Sequence, residues 1–238
     1  MNRISFSKIS TFISCPLKYK FQYVEQIPKD DTTSSQQLGK YIHEVLEHWR
    51  EGLDITEVGV LFENKYLLAD EEKLAVPKLL ANAKEMYEPY RGLNCESEFR
   101  LEYKLCDNGQ EIMVDGVVDK LYHMPDNKFI IVDYKTGKSR SDNSLQMKFY
   151  FYLLNKLRGY KVEDIASKIF YLRMKYQATY TFDEAEINEF ETWLKTMIEL
   201  IDKTGKFTHD FSRGCNYCPY RKEECLPYKI KQEKYGAY

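Results

Sequence analysis

The spacing of apolar residues changes near residue 98, and this change limits the folds open to the chain. Between residues 38 and 49, apolar side chains recur at helical spacing. Over 98–104 they alternate with polar ones, and 112–121 and 128–134 follow as two more strand-like segments. Helices followed by consecutive strands, with further helix and strand beyond, predict an α/β or α+β fold with a mixed central β-sheet flanked by helices.

The remaining segments predict the elements around this sheet. Ser5 or Ser7 can cap a helix that runs toward Cys15, and Asp183 caps a long helix that ends near Gly205. The polar stretch 29–35 reads as a loop. The other predicted elements are helices over about 56–69, 72–89 and 143–158, strands over 169–174 and 178–182, and a short basic helix in the C-terminal tail.

The length of 238 residues suits one large domain. We divide it into a mainly helical part over 1–95, a sheet core over 96–182, and a helix with a cysteine-containing tail over 183–238. No apolar run has the length of a membrane span, and the N-terminus has no signal-peptide core. We therefore expect a cytoplasmic protein without a membrane partner.

Charge is distributed unevenly along the chain, although 35 basic and 37 acidic residues nearly cancel. Residues 134–176 hold ten Lys or Arg and three acids, and residues 1–29 hold five and one. Residues 51–75 and 181–202 are acidic. Basic stretches around the central strands favour a groove that binds a nucleic acid strand. Solvated faces of alternating sign are the alternative.

Two carboxylates are expected where consecutive strands end. A hairpin could bring Asp119 and Asp133 to one hard divalent cation, with the backbone carbonyl of Tyr134 beside them. Lys135 lies two residues after Asp133 and therefore points to the same face of its strand. An ammonium group there can help to deprotonate a water and can stabilise charge on a phosphate oxygen. The pattern indicates metal-assisted phosphodiester hydrolysis, whereas an ordinary surface Asp–Lys pair is the alternative.

Two predicted helices offer side chains to the same site. His43 lies one helical turn after Gly39 and could be a metal ligand. Gln146 and Tyr150 are also one turn apart, on the helix that follows the Asp-x-Lys strand, and they offer an amide and a phenol to a phosphate or a base. Each of these side chains, taken alone, has an alternative role in helix packing.

Three of the six cysteines are crowded into the C-terminal tail. Cys215-x2-Cys218-x6-Cys225 has the spacing of thiolate ligands of one metal centre. Cys15 is the best candidate for a fourth ligand, and buried free thiols are the alternative. Cys95 and Cys106 flank a strand-like segment and are not expected to be ligands.

Five motifs occur in a fixed order along the chain: 4–7 through Cys15-Pro16, Gly39-x3-His43, Gly116-Val117-Val118-Asp119, Ile131-Val132-Asp133-Tyr134-Lys135-Thr136-Gly137, and Gln146-x3-Tyr150. Together they resemble the RecB-like branch of the PD-(D/E)XK nuclease superfamily over nearly the whole chain. The four cysteines resemble the iron–sulfur staple of its cluster-bearing members, which include proteins of CRISPR adaptation and AddB-type helicase–nucleases.

This resemblance implies a restriction-endonuclease-like core and a DNA nuclease, acting as an exonuclease on single strands or ends and leaving a 5′-phosphate. It implies Mg²⁺ or Mn²⁺ and a structural 4Fe-4S cluster, with DNA as substrate and a helicase, recombination or CRISPR-adaptation protein as partner. The implied site residues are, for catalysis, Asp119, Asp133, Lys135, His43, Gln146 and Tyr150; for the metal, His43, Asp119, Asp133 and the Tyr134 carbonyl; for the cluster, Cys15, Cys215, Cys218 and Cys225; and for DNA, Gln146, Tyr150, Lys138, Arg140 and Lys148.

Two features depart from that family. The last cysteine spacing is one residue longer than is usual, which bears on Cys225. No P-loop is present, because Val132 stands where Thr136-Gly137-Lys138-Ser139 would need a glycine five positions before Gly137, and we expect no nucleotide cofactor.

Two other functions compete with the nuclease. One is a non-catalytic module that binds DNA while a partner performs the chemistry, and the intact Asp119, Asp133 and Lys135 weigh against it. The other is a four-cysteine zinc protein, since iron and zinc share thiolate ligands.

Overall fold

The order of helices and strands follows the predicted one, with one added strand at the N-terminus. The computed structural model describes residues 2–29, 33–107, 109–211, 214–215, 218–221 and 224–235. The strands are β1 (Arg3–Ser5), β2 (Asn94–Asp107), β3 (Gln110–His123), β4 (Phe129–Lys135), β5 (Ile165–Tyr171) and β6 (Tyr176–Tyr180). The helices are α1 (Phe6–Ser14), α2 (Pro16–Tyr19), α3 (Ser34–His48), α4 (Ile55–Val60), α5 (Asp70–Tyr87), α6 (Ser144–Arg158), α7 (Glu184–Lys203) and α8 (Leu226–Tyr235).

These strands form one mixed six-stranded sheet. β2 pairs with one edge of β3 along almost the whole of that strand, β1 and β4 both pair with its other edge, and β5 and β6 follow β4. The β1–β3 and β4–β5 pairs are parallel, and the other pairs are antiparallel. The predicted mixed sheet flanked by helices is confirmed.

One edge of β3 is shared by two short partners. β1 pairs with 113–115 of β3, and β4 pairs with 120–123. Between these two ladders, residues 116–119 have no strand partner on that edge within the described part of the chain. We call these four residues the ladder gap. It leaves the Gly-x-x-Asp motif free to face something other than a neighbouring strand.

Helices cover both faces of the sheet. One core packs α1, α6 and α7 against β2–β5, and α6 contributes a continuous run of buried side chains over 149–154. The other core packs α3, α4 and α5 against the opposite face, where Tyr122, Val132 and Tyr134 project. Burial of both faces explains why the strands β4 and β5 are rich in apolar residues rather than strictly alternating.

Gly116 allows α6 to approach the ladder gap closely. A Cβ at this position would lie 3.1 Å from a ring carbon of Tyr150 and 3.3 Å from atoms of Phe149 and Leu153. These distances are at the limit of van der Waals contact, so a side chain would push the helix away. The absence of a side chain at Gly116 therefore allows Tyr150 to lie next to the strand.

Several predicted boundaries differ from the structure. The helix expected over 56–69 is the shorter α4, which ends near Gly59, whose carbonyl accepts a hydrogen bond from the Tyr41 hydroxyl at 3.1 Å. β5 begins four residues earlier than predicted because its first residues pair with β4, and 172–175 form a turn that also shifts β6. β1 has no counterpart among the predicted elements, since its three residues carry no periodic signal.

Other expectations agree with the structure. Ser5 caps α1, and Asp183 caps α7 through a capping box with Glu186. α6 lies at the position of the helix predicted over 143–158. Among the residues described, no helix combines the length and the apolar character that a membrane crossing requires.

We predict that Gly116→Ala lowers the free energy of unfolding by about 1–3 kcal/mol, because the added methyl overpacks the contact with α6. Urea denaturation followed by circular dichroism measures this change. Gly205→Ala is the matched control, since a Cβ there meets no atom within 4 Å, and its effect should stay within about 0.5 kcal/mol. Equal effects of the two substitutions would contradict the assigned role of Gly116.

Candidate active site

Asp119 and Asp133 face each other where the β3–β4 ladder opens. The last paired residues are Lys120 and Val132, so the next position in the register brings Asp119 opposite Asp133 beyond the ladder. The expectation that Asp119 ends a strand is wrong, because β3 continues to His123. The β3–β4 ladder instead ends at Lys120, so Asp119 and Asp133 are not paired with each other, although Asp133 still pairs with Ile169 of β5.

A backbone hydrogen bond holds Asp119 in place. The Tyr134 amide donates to its Oδ2 at 2.8 Å, and its Oδ1 lies 3.3 Å from Nδ1 of His43. Burial by itself raises the pKa of Asp119, but His43 and the Tyr134 amide outweigh it and leave the pKa below its usual value. Asp119 is therefore an anion in spite of its burial.

Asp133 lies in a buried polar network with Lys135 and Gln146. The Lys135 ammonium lies 2.6 Å from Oδ2 of Asp133 and donates to Oε1 of Gln146 at 3.2 Å. Gln146 Nε2 donates to Asp133 Oδ1 and contacts the Tyr150 hydroxyl, both at 3.0 Å. Burial and the charge of Asp119 raise the pKa of Asp133 to about 6, although Lys135 opposes this shift. The structure thus brings Asp133, Lys135, Gln146 and Tyr150 together.

His43 reaches the same point from α3. Its Nε2 lies 3.0 Å from the Tyr134 carbonyl oxygen. Gly39 lets the helix come close, since a Cβ there would lie 3.4 Å from the Thr136 hydroxyl just past the end of β4. Burial lowers the pKa of His43, but the carboxylates of Asp119 and Asp133 outweigh it and raise the pKa to about 9. A cation at this position would therefore replace a proton.

The donor set fits a hard divalent cation. In the described chain, the ligand atoms that lie within 4.8 Å of one another belong to His43, Asp119 and Glu98, and Asp133 is not in this group. Imidazole and carboxylate groups are ligands suited to Mg²⁺ or Mn²⁺, and a backbone carbonyl such as that of Tyr134 can join them. Adjacent ligands of an octahedral Mg²⁺ ion lie about 3.0 Å apart, given bonds of about 2.1 Å. The His43 Nε2 to Tyr134 oxygen separation of 3.0 Å agrees with that spacing.

Glu98 is a residue of this site that the sequence did not reveal. It lies in β2, where the register around it (Ser97 with Lys120, Phe99 with Val118) places it opposite Asp119. Ligand atoms of Glu98, His43 and Asp119 all lie within 4.8 Å of one another. Burial and the charge of Asp119 raise the pKa of Glu98.

The backbone at Glu98 is strained. Its φ is +47°, a left-handed conformation that a non-glycine residue within a strand rarely adopts. Such strain persists where the surrounding structure fixes it, often at functional sites. In the sequence Glu98 is one acid in an alternating strand, and only the register of the β2–β3 hairpin could have indicated its partner.

The three basic residues predicted to bind DNA are engaged elsewhere. Lys138 pairs with Glu71 of α5 at 2.6 Å, and Lys148 pairs with Glu186 at 3.1 Å, near the start of α7. Arg140 lies over the ring of Tyr176, 4.5 Å from its centroid. The structure does not bring Lys148 to the carboxylates, because it projects from a different face of α6 than Gln146 and Tyr150.

A cleft of about 530 Å³ opens in front of His43 and Asp119. The lining of this cleft also includes three glutamates and a lysine, which are Glu44, Glu47, Glu98 and Lys40. Carboxylates on this side attract a cation and repel a phosphate.

The four cysteines of the predicted cluster meet at one place. Cys15 lies between α1 and α2, and it lines a cavity of about 60 Å³ together with Cys215, Cys218 and Cys225. Burial raises the pKa of the Cys218 and Cys225 thiols, so these sulfurs need a metal's charge to become thiolates. Residues 216–217 and 222–223, between the ligand positions, lie outside the described residues.

The thiols are spaced more widely than one zinc ion requires. Sulfurs around a tetrahedral Zn²⁺ lie about 3.8 Å apart, given Zn–S bonds of about 2.3 Å. Within the described chain, no three of these sulfurs lie within 4.8 Å of one another. Cys95 and Cys106 lie on β2, away from this cavity.

The chain is similar to known proteins over most of its length. The family model of the PD-(D/E)XK nuclease superfamily matches residues 3–222. The chain is 26% identical over 233 residues to one component of the ATP-dependent helicase/deoxyribonuclease of Streptococcus mutans, a match that covers 87% of this chain but 21% of that protein. A solved structure from Eubacterium rectale, named "Putative exonuclease", has a TM-score of 0.59 and 13% identity, with 99% of this chain and 94% of that chain covered.

We predict that Glu98→Gln weakens Mn²⁺ binding by about tenfold, because a carboxylate near the cation is replaced by a neutral amide. Isothermal titration calorimetry measures the affinity. Glu47→Gln is the matched control, since Glu47 lines the same cleft without belonging to the group of close ligand atoms. Unchanged affinity in Glu98→Gln, or an equal loss in Glu47→Gln, would remove Glu98 from the metal site.

Proposed function

The chain belongs to the PD-(D/E)XK nuclease superfamily, and on that premise we propose that it is a divalent-metal-dependent DNA nuclease with its active site at the ladder gap. One observation carries the proposal. The pair formed by the buried Asp133 and the partly exposed Lys135 lies directly beside the His43–Asp119 pair, with the Tyr134 backbone between them. A buried carboxylate that is held by a partly buried lysine and glutamine at the edge of a cleft is the kind of arrangement found at functional sites.

Some residues of the site would hold the cation, and others would position the phosphate. Mg²⁺ or Mn²⁺, when bound, would polarise the scissile phosphate and lower the pKa of a bound water. His43, Asp119, Asp133 and the Tyr134 carbonyl would hold the ion. Lys135 supplies a positive charge to the phosphate oxygen on which negative charge develops.

Gln146 and Tyr150 act through position. Gln146 bonds both Asp133 and Lys135, so it holds the carboxylate and the ammonium in one orientation. Tyr150 lies at the end of this chain of contacts, 3.0 Å from Gln146. Loss of either side chain would loosen the site and weaken the productive placement of DNA.

We also propose that the substrate is DNA, cleaved from single-stranded or free ends. The names of a curated relative, a component of a helicase/deoxyribonuclease, and of a solved structure, an exonuclease, support this substrate class. The chain spans about a fifth of that relative's length, and the relative is part of an ATP-dependent helicase. A helicase, recombination or CRISPR-adaptation protein is accordingly the kind of partner that we propose.

A 4Fe-4S cluster held by the four cysteines completes the proposal. Cys15 is near the start of the chain and its three partners are near the end, so a shared centre closes a loop around nearly the whole domain. Such closure stabilises the folded state by restricting the unfolded chain, and the thiolate bonds add folding free energy. A structural role follows, because none of these cysteines contacts the Asp133–Lys135 pair.

We predict that Asp133→Ala abolishes metal-dependent cleavage of end-labelled DNA while the fold is kept. Lys135→Met should lower the cleavage rate at saturating Mn²⁺ by about 100-fold or more, because it removes charge stabilisation at the phosphate. Its Mn²⁺ affinity should change much less than that of Asp133→Ala. Lys161→Met, an exposed lysine paired with Glu163, is the control.

Both single- and double-stranded DNA, labelled at either end, are the substrates for this assay. Persistent cleavage by Asp133→Ala would place the active site elsewhere. Lys135→Met could instead bind the metal more weakly and yet cleave at the normal rate once the metal is saturating. That result would assign the lysine to the ion and not to the phosphate.

We predict that Cys15→Ser and Cys218→Ser lower both iron content and melting temperature, because each removes a ligand of the centre that joins the termini. Cys95→Ser and Cys106→Ser are the controls and should change neither quantity. Iron and zinc are measured by elemental analysis on anaerobically purified protein. Zinc without iron would favour a four-cysteine zinc site, and iron lost only from the Cys95 or Cys106 variant would refute the ligand set.

A further inference from the structure

A second cavity lies behind the active-site strands, on the sheet face that α3 and α5 cover. Its volume is about 310 Å³, within the range of small-molecule pockets. Strands β2, β3 and β4 form its floor, and the ends of α3 and α5 form its wall. We call it the rear cavity. The nuclease site described above uses none of the side chains that line it.

Lys120 brings a buried cation to the rear cavity. The residue is 6% exposed, and its ammonium donates to the Ser97 hydroxyl at 2.6 Å. Within the described residues it forms no ion pair. An ammonium has three donor hydrogens, so two remain for another acceptor. Lysine is seldom buried without a partner, because its charge loses hydration and gains nothing in exchange.

Arg50 places a second cation beside the cavity, and the acid that lines the cavity, Glu51, is already paired with other residues. Arg50 donates to the backbone carbonyls of Glu47 and Trp49 and pairs with no carboxylate in the described part of the chain. Glu51 lines the cavity but is held by Arg91 at 2.8 Å and by the Gly92 amide at 3.0 Å. Asp119 and Glu47 act on Lys120 from outside the cavity lining. Within the described lining, Lys120 and Arg50 are paired with no acid, which favours an anion.

Aromatic rings form the rest of the wall. Trp49 and Tyr87 meet edge to face with their ring centroids 4.8 Å apart, and Tyr122 and Tyr134 also line the cavity. Aromatic surfaces of this kind accept a planar ring by stacking or edge contact, whichever base the ring belongs to. The cavity therefore combines the two kinds of contact that a nucleotide offers, a phosphate and a base.

We propose that the rear cavity binds a free nucleoside 5′-monophosphate. Its phosphate would lie at Lys120 and Ser97 with Arg50 nearby, and its base would lie against Trp49 and Tyr87. The volume has room for one nucleotide. This inference rests on the cavity alone and does not require that the chain be a nuclease.

Intrinsic fluorescence tests the proposal directly, because the chain has two tryptophans and only Trp49 lines the cavity. In the Trp193→Phe protein, emission reports on Trp49. Titration with deoxyadenosine monophosphate in EDTA should change this emission with saturation in the micromolar to millimolar range. EDTA removes divalent cations, so the metal site cannot provide the response.

Two substitutions in the same background locate the phosphate. Lys120→Met keeps the shape of the side chain and should weaken binding by about tenfold or more, as loss of a charged hydrogen bond does. Arg50→Gln is at an exposed position and should weaken it less, and it serves as the second variant if Lys120→Met fails to fold. Lys104→Gln, at the far end of the β2–β3 hairpin, should have no effect, and neither should Asp133→Ala.

Three other ligands show which parts of a nucleotide the cavity recognises and whether it prefers a free nucleotide to a nucleic acid end. Deoxyadenosine should need at least a tenfold higher concentration than its monophosphate, and a 5′-phosphorylated trinucleotide should bind no more tightly. The proposal is overturned if millimolar monophosphate leaves the Trp49 emission unchanged, or if Lys120→Met and Arg50→Gln both bind like the parent protein. It is also overturned if inorganic phosphate binds as tightly as the nucleotide, or if the trinucleotide binds more tightly.

Discussion

The hydrogen bond from the Tyr134 amide to Asp119, 2.8 Å long, holds the candidate active site together. It forms where the β3–β4 ladder stops, so a side chain takes the place that a backbone carbonyl would occupy in a continuing sheet. The carbonyl of the same residue contacts His43, and its ring lines the rear cavity. One residue between Asp133 and Lys135 thereby fixes a helix and two strands relative to each other.

The pKa values of the site residues are shifted in the directions expected where a bound cation would stabilise the charges of the carboxylates. Asp119 keeps a low pKa, Asp133 has its pKa raised to about 6, and His43 has its pKa raised to about 9. These shifts have a common origin, since two carboxylates share a buried space and one imidazole and one ammonium balance them. A divalent ion would relieve the repulsion between the carboxylates, which agrees with the proposal that a metal binds at this site.

The cysteine-lined cavity and the candidate active site lie in different parts of the described chain. The cysteine-lined cavity joins the N-terminal helices to the C-terminal tail, while the ladder gap lies in the middle of the sheet. His43, Asp119 and Lys135 lie on α3, β3 and β4, and no described residue of 214–235 lines the cleft in front of His43 and Asp119. A centre at the cysteines would therefore act on activity through the stability of the fold and not through the chemistry.

The sequence by itself determined what depends on local periodicity and spacing. A repeat of two or of about four residues indicates the order of elements and places neighbouring side chains on one face. Such repeats give the shared face of Asp133 and Lys135, the pairing of Gln146 with Tyr150, and the closeness of Cys215 and Cys218. Tertiary structure alone decided the features that depend on register between distant segments. Strand β1 and the ladder gap arise because residues more than 100 positions apart pair, and Glu98 reaches Asp119 only through the hairpin register and a left-handed backbone. The burial of Lys120 belongs to the same class, because no local pattern shows which face of a bent strand other helices will cover.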